Sequence, residues 1–505
     1  MKRIILLILT IHLAVCSFSQ LYKTIEVNAG NLGSSLSDNE KKSISNLKLT
    51  GSIDARDFKT MRDSMPLLVE IDISEVNIKG YSGRDGTFDT SYVDYKQDIL
   101  PTCAFFDYNK AEGKKNLKSI NTPNSIVAIH WSAFCSCDSL SKVILHDSLK
   151  IIDAASFMDC TLLDSLYIPQ SVNQIGPGAF RNCSSLVSVN LPDNINTIED
   201  RLFLNCKNLE TINIPNNINT IGTGAFEECV NLKRLYIPET VRKLNKYSFL
   251  NCSAEIEVND SNLFYSNDNG LLIKNHKTVI HCPTSIKGEI IIPQYITHIG
   301  LFAFMNCTYL TKVKFSNILQ IIDGSSFVNC IRLKEIVFPK SLTSISYGAF
   351  KNCCSIDSII IPSNILTIKS SAFSGCTGLQ YVNIKSQLKS IEADLFNNCK
   401  SLKEVNIPNS VETINYQAFY ECLSLTKVEL PESLSVIESN AFRYCSNLDS
   451  IICKSNKPID LTNKHKVFFD VDLQKSKLFV PRGSKEYYQN AVTWENFKNI
   501  IEYEK

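Results

Sequence analysis

Cysteine is the residue type with the strongest claim to chemistry in this 505-residue chain, which contains nineteen of them. Thirteen follow one rule: each stands three residues after a phenylalanine, from Cys137 after Phe134 to Cys445 after Phe442. A zinc site needs ligands that converge as a tetrahedron, and a disulfide needs two Cβ atoms about 3.5–4.5 Å apart. Cysteines in one register of a repeated coil form a row at the strand spacing of ~4.8 Å, so we predict buried, reduced thiols. Disulfides between adjacent coils are the alternative.

The seven histidines give no constellation for catalysis or metal binding. His130 and His146 occupy different positions of the repeat. His276 and His281 are five residues apart, and an odd separation along a strand points two side chains to opposite faces. The chain contains no G-x-S-x-G, G-x-x-x-x-G-K-[ST] or H-E-x-x-H motif. We therefore predict a protein that is not an enzyme, with no catalytic residues, no metal site and no cofactor.

Composition and charge exclude one further class of function. The chain is 44% apolar and 20% charged, as in soluble globular proteins, and its 52 basic and 51 acidic residues leave a net charge of +1. Binding to a phosphate backbone depends on a strongly basic surface. We therefore expect no nucleic-acid partner.

The first nineteen residues have the pattern of an export signal. Lys2 and Arg3 precede the apolar run Ile4–Val15, which is too short to span a bilayer. Small residues at positions 17 and 19 predict cleavage before Gln20. Cys16 offers the alternative of a lipid anchor on a new N-terminal cysteine. No later segment is long and apolar enough for a transmembrane helix, so we predict a protein that is secreted or held at the cell surface.

Phenylalanine reveals an internal repeat, which decides the fold. The repeated phenylalanines follow a strict period of twenty-three residues in two groups, and one longer interval, from Phe249 to Phe304, separates the groups. The repeated phenylalanines are Phe134, Phe157, Phe180, Phe203, Phe226 and Phe249, followed by Phe304, Phe327, Phe350, Phe373, Phe396, Phe419 and Phe442.

One repeat, residues 209–231, shows how each coil is built. Leu209, Ile212 and Ile214 form an L-x-x-I-x-I strand with alternating faces, and Pro215 ends it because proline cannot donate to a ladder. Phe226 then places its ring between coils. A unit of this length cannot bury such an apolar surface alone, so stability comes from stacking against neighbours. We predict an α/β-type repeat solenoid dominated by β-strands: a right-handed leucine-rich-repeat coil with a parallel sheet on its concave face and a cap at each end.

The repeat pattern also resembles a known family. The consensus I-x-I-P-x-x-I-x-x-I-G-x-x-A-F-x-N-C-x-x-L, best kept at Ile168–Leu186 and Ile214–Leu232, is similar to that of the BspA-like leucine-rich-repeat proteins of bacterial cell surfaces. The resemblance extends over residues 117–452. It implies an exported, non-enzymatic surface protein with a role in adhesion to host matrix proteins, host cells or other bacteria.

The ends and the long interval define the predicted segments. In the N-terminal cap we expect strands at residues 47–49 and 68–73, a helix over 54–65 with Ser52 or Asp54 as its N-cap, and a loop over 81–98. At the C-terminus we expect a strand at residues 478–480 and a helix from Ser484. The chain is predicted to comprise a signal peptide (1–19), an N-terminal cap with atypical repeats (20–100), repeat block one (101–252), a degenerate repeat with a hairpin insertion (253–289), repeat block two (290–453) and a C-terminal cap (454–505).

The insertion is predicted to contain a degenerate coil and a projecting hairpin. Glu255 takes the place of the repeat leucine, and the hairpin comprises Leu271–Lys274, a turn at Asn275 and His276, and Lys277–His281. We interpret the insertion either as a spacer between the two repeat blocks or as a projecting binding element.

The outward positions of the repeat strands vary while the buried positions are nearly uniform, which is typical of a scaffold that presents a binding surface. Tyrosine and arginine are frequent interface anchors, although aromatic residues are also ordinary on strand surfaces. The candidate partner-binding residues are Tyr167, Asn190, Asn213, Arg234, Tyr236, Lys312, Lys314 and Tyr381. We expect a monomer that binds a protein or glycan through this face. The alternative is a structural or assembly component of the bacterial envelope with no external ligand.

Overall fold

The computed structural model describes residues 21–88 and 91–504. The predicted signal peptide, Cys16 included, lies outside these residues. The chain divides into two compact units, residues 1–169 and 170–505. In both units most strands belong to two parallel sets. We call the strand that follows each repeat leucine the front strand, and the two-residue strand later in each repeat the back strand.

Unit one is a parallel solenoid that begins with atypical coils. Its front strands pair in chain order, and the three back strands pair separately in parallel. The front strands are Leu21–Val27, Ile44–Ile53, Glu70–Ile78, Ser119–Asn121 and Lys142–Ile144, and the back strands are Ile99–Leu100, Ala128–Ile129 and Ile151–Ile152.

The N-terminal cap contains the predicted helix and one departure from prediction. The helix spans Ala55–Asp63, and Asp54 is its N-cap, with a capping box to Asp57. Two shorter helices, Leu32–Ser35 and Asp38–Ser43, precede it.

The prediction of a plain loop over residues 81–98 is wrong. Strands Tyr81–Gly83 and Val93–Tyr95 pair antiparallel, and the Tyr81 and Tyr95 rings stack with centroids 6.1 Å apart. Aromatic cross-strand pairs of this kind stabilise short antiparallel ribbons. A second antiparallel pair joins Phe106–Asp107 to Glu112–Gly113.

Unit two continues the same design. Its paired strands keep the register of the repeat period, as in Tyr381 opposite Glu404 at the front and Thr220 opposite Lys243 at the back. The front strands are Ser188–Asn190, Thr211–Asn213, Arg234–Ile237, Glu255–Val258, Gly288–Ile291, Leu310–Lys314, Ser358–Ile361, Tyr381–Ile384, Glu404–Asn406, Lys427–Leu430, Ser450–Cys453, Lys477–Pro481 and Asn499–Tyr503. The back strands are Gln174–Ile175, Thr197–Ile198, Thr220–Ile221, Lys243–Leu244, His298–Ile299, Ile321–Ile322, Ser344–Ile345, Thr367–Ile368, Ser390–Ile391, Thr413–Ile414 and Val436–Ile437.

The insertion forms a hairpin where the sequence predicts one, but the hairpin does not project. Strands Tyr265–Asp268, Leu271–Lys274 and Thr278–His281 pair antiparallel, and the last of them then pairs in parallel with the back strand His298–Ile299. Leu271, Ile273 and Val279 are fully buried. The prediction of a projecting element is therefore wrong, because apolar residues on the hairpin complete the core.

The degenerate coil before the hairpin is shorter than the others. Glu255 pairs with Arg234, twenty-one residues earlier, and its side chain is exposed. The prediction that Glu255 stands at the leucine position is wrong, because a coil shortened by two residues moves it to the first outward position of the front strand.

The C-terminal cap covers the last coil with aromatic side chains. Helix Lys485–Gln489 follows Ser484 as predicted, and a 3-10 helix, Trp494–Asn496, follows it. The Trp494 indole N–H donates to the carbonyl of Ile459 at 2.8 Å. The sequence did not predict the final strand, Asn499–Tyr503, which pairs in parallel with Lys477–Pro481.

The repeated phenylalanines form stacks of parallel rings inside each unit. In unit two, Phe203 lies between Phe180 and Phe226 with centroids 5.7 Å away on both sides. In unit one, Phe134 lies between Phe105 and Phe157 at 5.4 and 5.1 Å. Offset stacks in this range add favourable ring–ring contact to the burial of apolar area.

The cysteine row lies beside the phenylalanine stack and confirms the prediction of buried, reduced thiols. Of the eighteen described cysteines, all are thiols and only Cys354 is not buried. The Cys229 thiol donates to the carbonyl of Phe203 at 3.2 Å, and Cys330 makes the same contact with Phe304. Burial raises the pKa of Cys376 to about 12. The Cys376 thiol therefore stays protonated at neutral pH, and the thiols of the row serve as small donors between coils.

Replacing Phe226 with alanine should lower the free energy of unfolding by about 3–5 kcal/mol, because it leaves a cavity between two stacked rings. Val230→Ala in the same repeat is the matched control, because Val230 is exposed and loses little burial. Urea unfolding followed by circular dichroism measures both. Similar losses for the two variants would contradict the inward position of the ring.

Thiol labelling of the native protein should be fast at Cys354 and slow at the other described cysteines, because those thiols are buried and the reagent cannot reach them. Iodoacetamide labelling with peptide mass spectrometry measures each site, and Cys354→Ser should remove the fast phase. Rapid modification along the cysteine row would contradict the coil packing.

Candidate binding surface

The front strands of unit two present two outward side chains each. In Tyr381–Ile384, Tyr381 and Asn383 are exposed while Val382 and Ile384 are buried. The alternation follows from the two-residue period of a β-strand, in which one face packs on the core. Parallel pairing at the register of the repeat then aligns equivalent outward positions of successive coils into rows.

The structure divides the candidate residues between the two units. Tyr167 belongs to unit one and is 66% exposed. The other seven belong to unit two, where all are exposed except the half-buried Lys312. Those seven are Asn190, Asn213, Arg234, Tyr236, Lys312, Lys314 and Tyr381. Their part in partner binding stays a prediction.

The three cationic candidates already have acidic neighbours on adjacent strands. Arg234 lies 3.8 Å from Glu255 and 3.9 Å from Glu257. Lys312 pairs with Glu335 at 2.8 Å, and Lys314 pairs with Glu289. An exposed ion pair stabilises by only about 0–1 kcal/mol. The pairs nevertheless neutralise the face locally, so these side chains offer a partner little unbalanced positive charge.

The two tyrosine candidates of unit two also have polar neighbours. The Tyr236 hydroxyl accepts a hydrogen bond from the side-chain amide of Asn259 at 2.7 Å. The Lys403 ammonium lies 5.8 Å from the Tyr381 ring centroid, near the outer limit of a cation–π contact. Both rings keep an exposed face, at 42% and 49% of their full accessibility.

The same face also carries an apolar cluster, two of whose three residues were not among the candidates predicted from the sequence. Val337 and Ile360 occupy the second outward position of two consecutive repeats, and Tyr381 occupies the first outward position of the next repeat. Their exposed fractions are 66%, 56% and 49%. We call these three residues the apolar patch. The signal was present in the sequence, because valine and isoleucine stand on consecutive repeats at a position where several other repeats carry Asn, Lys or Glu.

Ion pairs stand next to the apolar patch. Lys312, on the preceding repeat, pairs with Glu335, which lies in the same repeat as Val337. On the following repeats, Glu429 pairs with Lys427 at 2.8 Å and with Lys454 at 3.2 Å. An exposed apolar cluster within a charged surround is typical of a protein interaction site.

Within residues 21–88 and 91–504, no group of three or more His, Cys, Asp or Glu side chains is placed to hold a metal ion. Among the same residues, no helix has the length and apolar character needed to cross a bilayer.

Comparison with known protein families matches most of the repeat region. The family described as the BspA type leucine rich repeat region matches residues 108–206, 150–269, 280–401 and 366–491. The chain belongs to this family. The BspA-type repeats therefore account for both groups of phenylalanines, and the family is one of bacterial surface proteins.

Solved structures of leucine-rich-repeat proteins are similar to this BspA-type chain. A leucine-rich cell surface protein from Faecalibacterium prausnitzii A2-165 is 25% identical with a TM-score of 0.55, and the match covers 73% of this chain and 87% of that one. A leucine-rich repeat protein from Bacteroides ovatus is 25% identical with a TM-score of 0.49, covering 75% and 90%. The pneumococcal vaccine antigen PcpA is 17% identical with a TM-score of 0.48, covering 86% and 89%. A search of curated protein sequences finds no match.

The two histidines of the insertion lie in different environments of the BspA-type solenoid. His276 is exposed at the hairpin turn, whereas His281 is only 6% exposed and packs against Phe249 with ring centroids 5.7 Å apart. Burial lowers the pKa of His281 to about 4, and a hydrogen bond to the backbone of Ala254 opposes this effect. His281 is therefore neutral in the native protein at neutral and mildly acidic pH.

His281 should make the protein less stable as the pH falls from about 6.5 to about 4. Over this range the unfolded chain binds a proton at His281 that the folded protein excludes, which costs up to about 3 kcal/mol. His281→Gln should remove this part of the pH dependence, and His276→Gln should not. Thermal unfolding at pH 7, 5.5 and 4 measures the three proteins. Parallel pH profiles for wild type and His281→Gln would contradict a buried neutral imidazole.

Proposed function

We propose that this protein is an exported, non-enzymatic surface protein that binds a protein or glycan partner through the front strands of its repeats. The observation that carries the proposal is the apolar patch, in which Val337, Ile360 and Tyr381 place three exposed apolar side chains on consecutive repeats. Family membership supports a place at the bacterial surface, and the printed description of the Faecalibacterium relative as a cell surface protein agrees with it.

The chemistry of the apolar patch favours a protein partner. Two branched aliphatic side chains and one tyrosine ring bury well against apolar side chains, and a central apolar cluster with a polar rim is how protein interfaces concentrate their affinity. Tyr381 also has a ring on which a sugar could stack. The candidate residues Asn190, Asn213, Arg234, Tyr236, Lys312 and Lys314 would then serve as polar contacts of the same unit that set specificity. Tyr167 would be a separate candidate contact on unit one.

Export rests on the N-terminal sequence. The basic start, the apolar run and the small residues before Gln20 support cleavage of a signal peptide. The alternative is lipidation of Cys16, which would hold the exported chain at the surface by a lipid anchor.

A pair of variants tests the binding proposal. Val337→Asp combined with Ile360→Asp places two charges in the apolar patch and should weaken partner binding at least tenfold, because the partner must then desolvate them. Leu366→Asp is the matched control, because Leu366 is 73% exposed in the same repeat as Ile360 but lies outside the front strands. Surface plasmon resonance against a panel of purified extracellular-matrix proteins measures the affinities.

The same experiment separates the proposal from its alternative. Binding by wild type and by Leu366→Asp, with loss in the double variant, supports the front face as the site. If wild type retains no matrix protein or glycan but co-purifies with envelope components, the structural or assembly role replaces the adhesin-like one.

A further inference from the structure

The stack of phenylalanine rings in unit two is interrupted at the insertion. Phe226 and Phe249 stack with centroids 5.8 Å apart, and a second stack begins with Phe304 and Phe327 at 4.7 Å. Between the two stacks, the ring that lies against Phe249 belongs to His281, and it is tilted by 50°. The outer turns remain in register across this interruption, because the side-chain amide of Asn306 donates to Asn251 as other repeat asparagines do to their neighbours.

Cys282 occupies the backbone position at which a phenylalanine is missing. In a regular repeat, the backbone N–H of the phenylalanine donates to a backbone carbonyl of the next repeat. The acceptor is the residue just before that repeat's own phenylalanine, as when Phe304 donates to Ser326. The Cys282 N–H donates in the same way to the carbonyl of Ala303, at 2.7 Å. The thiol of Cys307 confirms the register, because it contacts the carbonyl of Cys282 where Cys330 contacts that of Phe304.

Cys282 also lines a cavity of about 190 Å³, which lies beside the stack of phenylalanine rings. Its apolar walls include Phe249, Ile280, Leu301, Phe302 and Met305. An engineered cavity of about 150 Å³ with similar walls binds benzene. The volume is therefore sufficient for one substituted aromatic ring.

Two aromatic residues lie at the mouth of this cavity. The rings of Tyr247 and Phe302 contact each other with centroids 5.4 Å apart. Both have the left-handed backbone that the equivalent residue has in other repeats, such as Arg201 and Gln417. Tyr247 and Leu301 are both exposed at the surface, so the cavity reaches solvent.

One polar group of the cavity wall has no partner. His281 lines the cavity, is only 6% exposed, and its Nε2 makes no hydrogen bond. The bond to the Ala254 backbone raises the pKa of His281, which means that the ring donates there through its other nitrogen. Nε2 is thus left as a lone-pair acceptor. A buried acceptor without a donor is unfavourable, and a bound molecule with a hydroxyl or N–H group would satisfy it.

We propose that this cavity binds a small molecule with one aromatic ring and one hydrogen-bond donor, a phenol in its simplest form. The ring packs against the apolar wall that Phe249, Phe302 and Met305 contribute to, and the hydroxyl donates to Nε2 of His281. The site is independent of the front-strand surface proposed above.

Fluorine NMR of two matched probes tests the proposal on the full-length protein. The probes are 4-fluorophenol and fluorobenzene, which share a ring and differ in the hydroxyl group. Wild type should broaden both signals saturably and bind 4-fluorophenol about fivefold more tightly, as expected for one net hydrogen bond to a buried acceptor. The absence of saturable binding at millimolar concentrations would overturn the proposal and indicate a water-filled cavity.

Two variants locate the site. His281→Leu keeps the apolar walls and removes the acceptor, so the preference for 4-fluorophenol should disappear while fluorobenzene still binds. Cys282→Phe supplies the missing ring from the chain itself and should abolish binding of both probes, with circular dichroism as the check on folding. If Cys282→Phe does not fold, the His281→Leu result decides the proposal. Equal affinity of wild type for the two probes, or an unchanged preference in His281→Leu, would overturn the proposed role of His281 and with it the ligand class.

Discussion

Each coil of this protein depends on its neighbours to bury one phenylalanine ring. A single repeat is too short to enclose a ring by itself, so Phe203 is buried only because Phe180 and Phe226 cover its two faces. The constraint explains why the period of the repeat is so strict. A constant period brings each ring onto its neighbour and each thiol to the carbonyl that accepts its hydrogen.

The same constraint explains the backbone of the turns. To carry the chain around the ring and into the next strand, each repeat places residues in the left-handed region, at positions such as Asn205 and Asn329. Asparagine tolerates this region better than other residues with a side chain. Its side-chain amide also joins coil to coil, as Asn329 does by donating to Asn306 at 2.7 Å. One residue type thus meets a conformational and a hydrogen-bonding requirement together.

Sequence could predict whatever the repeat enforces. The front strands, the phenylalanine stacks, the buried thiols and the helix at Ala55–Asp63 follow from periodicity and capping, and the structure has them. The errors lie where the periodicity fails. The hairpin at Leu271–Lys274 looked free to project because its sequence carries no repeat signal, yet its apolar side chains are fully buried. The strand at Asn499–Tyr503 was missed because pairing with a distant segment creates it. The apolar patch was visible as outward valine and isoleucine, but the cavity depends on a register that only the backbone hydrogen bonds reveal.

The last front strand has a consequence for how the molecule behaves at high concentration. One edge of Asn499–Tyr503 pairs with Lys477–Pro481, and no described strand pairs with its other edge. An open edge of parallel sheet is a template for strands of other molecules and so for aggregation. Here the strand is only five residues long and has acidic side chains in and just after it: Glu502 accepts from the backbone N–H of Gly483, and Glu504 pairs with Arg482. A short edge with carboxylates beside it is a poor template for a strand of another molecule, which disfavours aggregation through this edge.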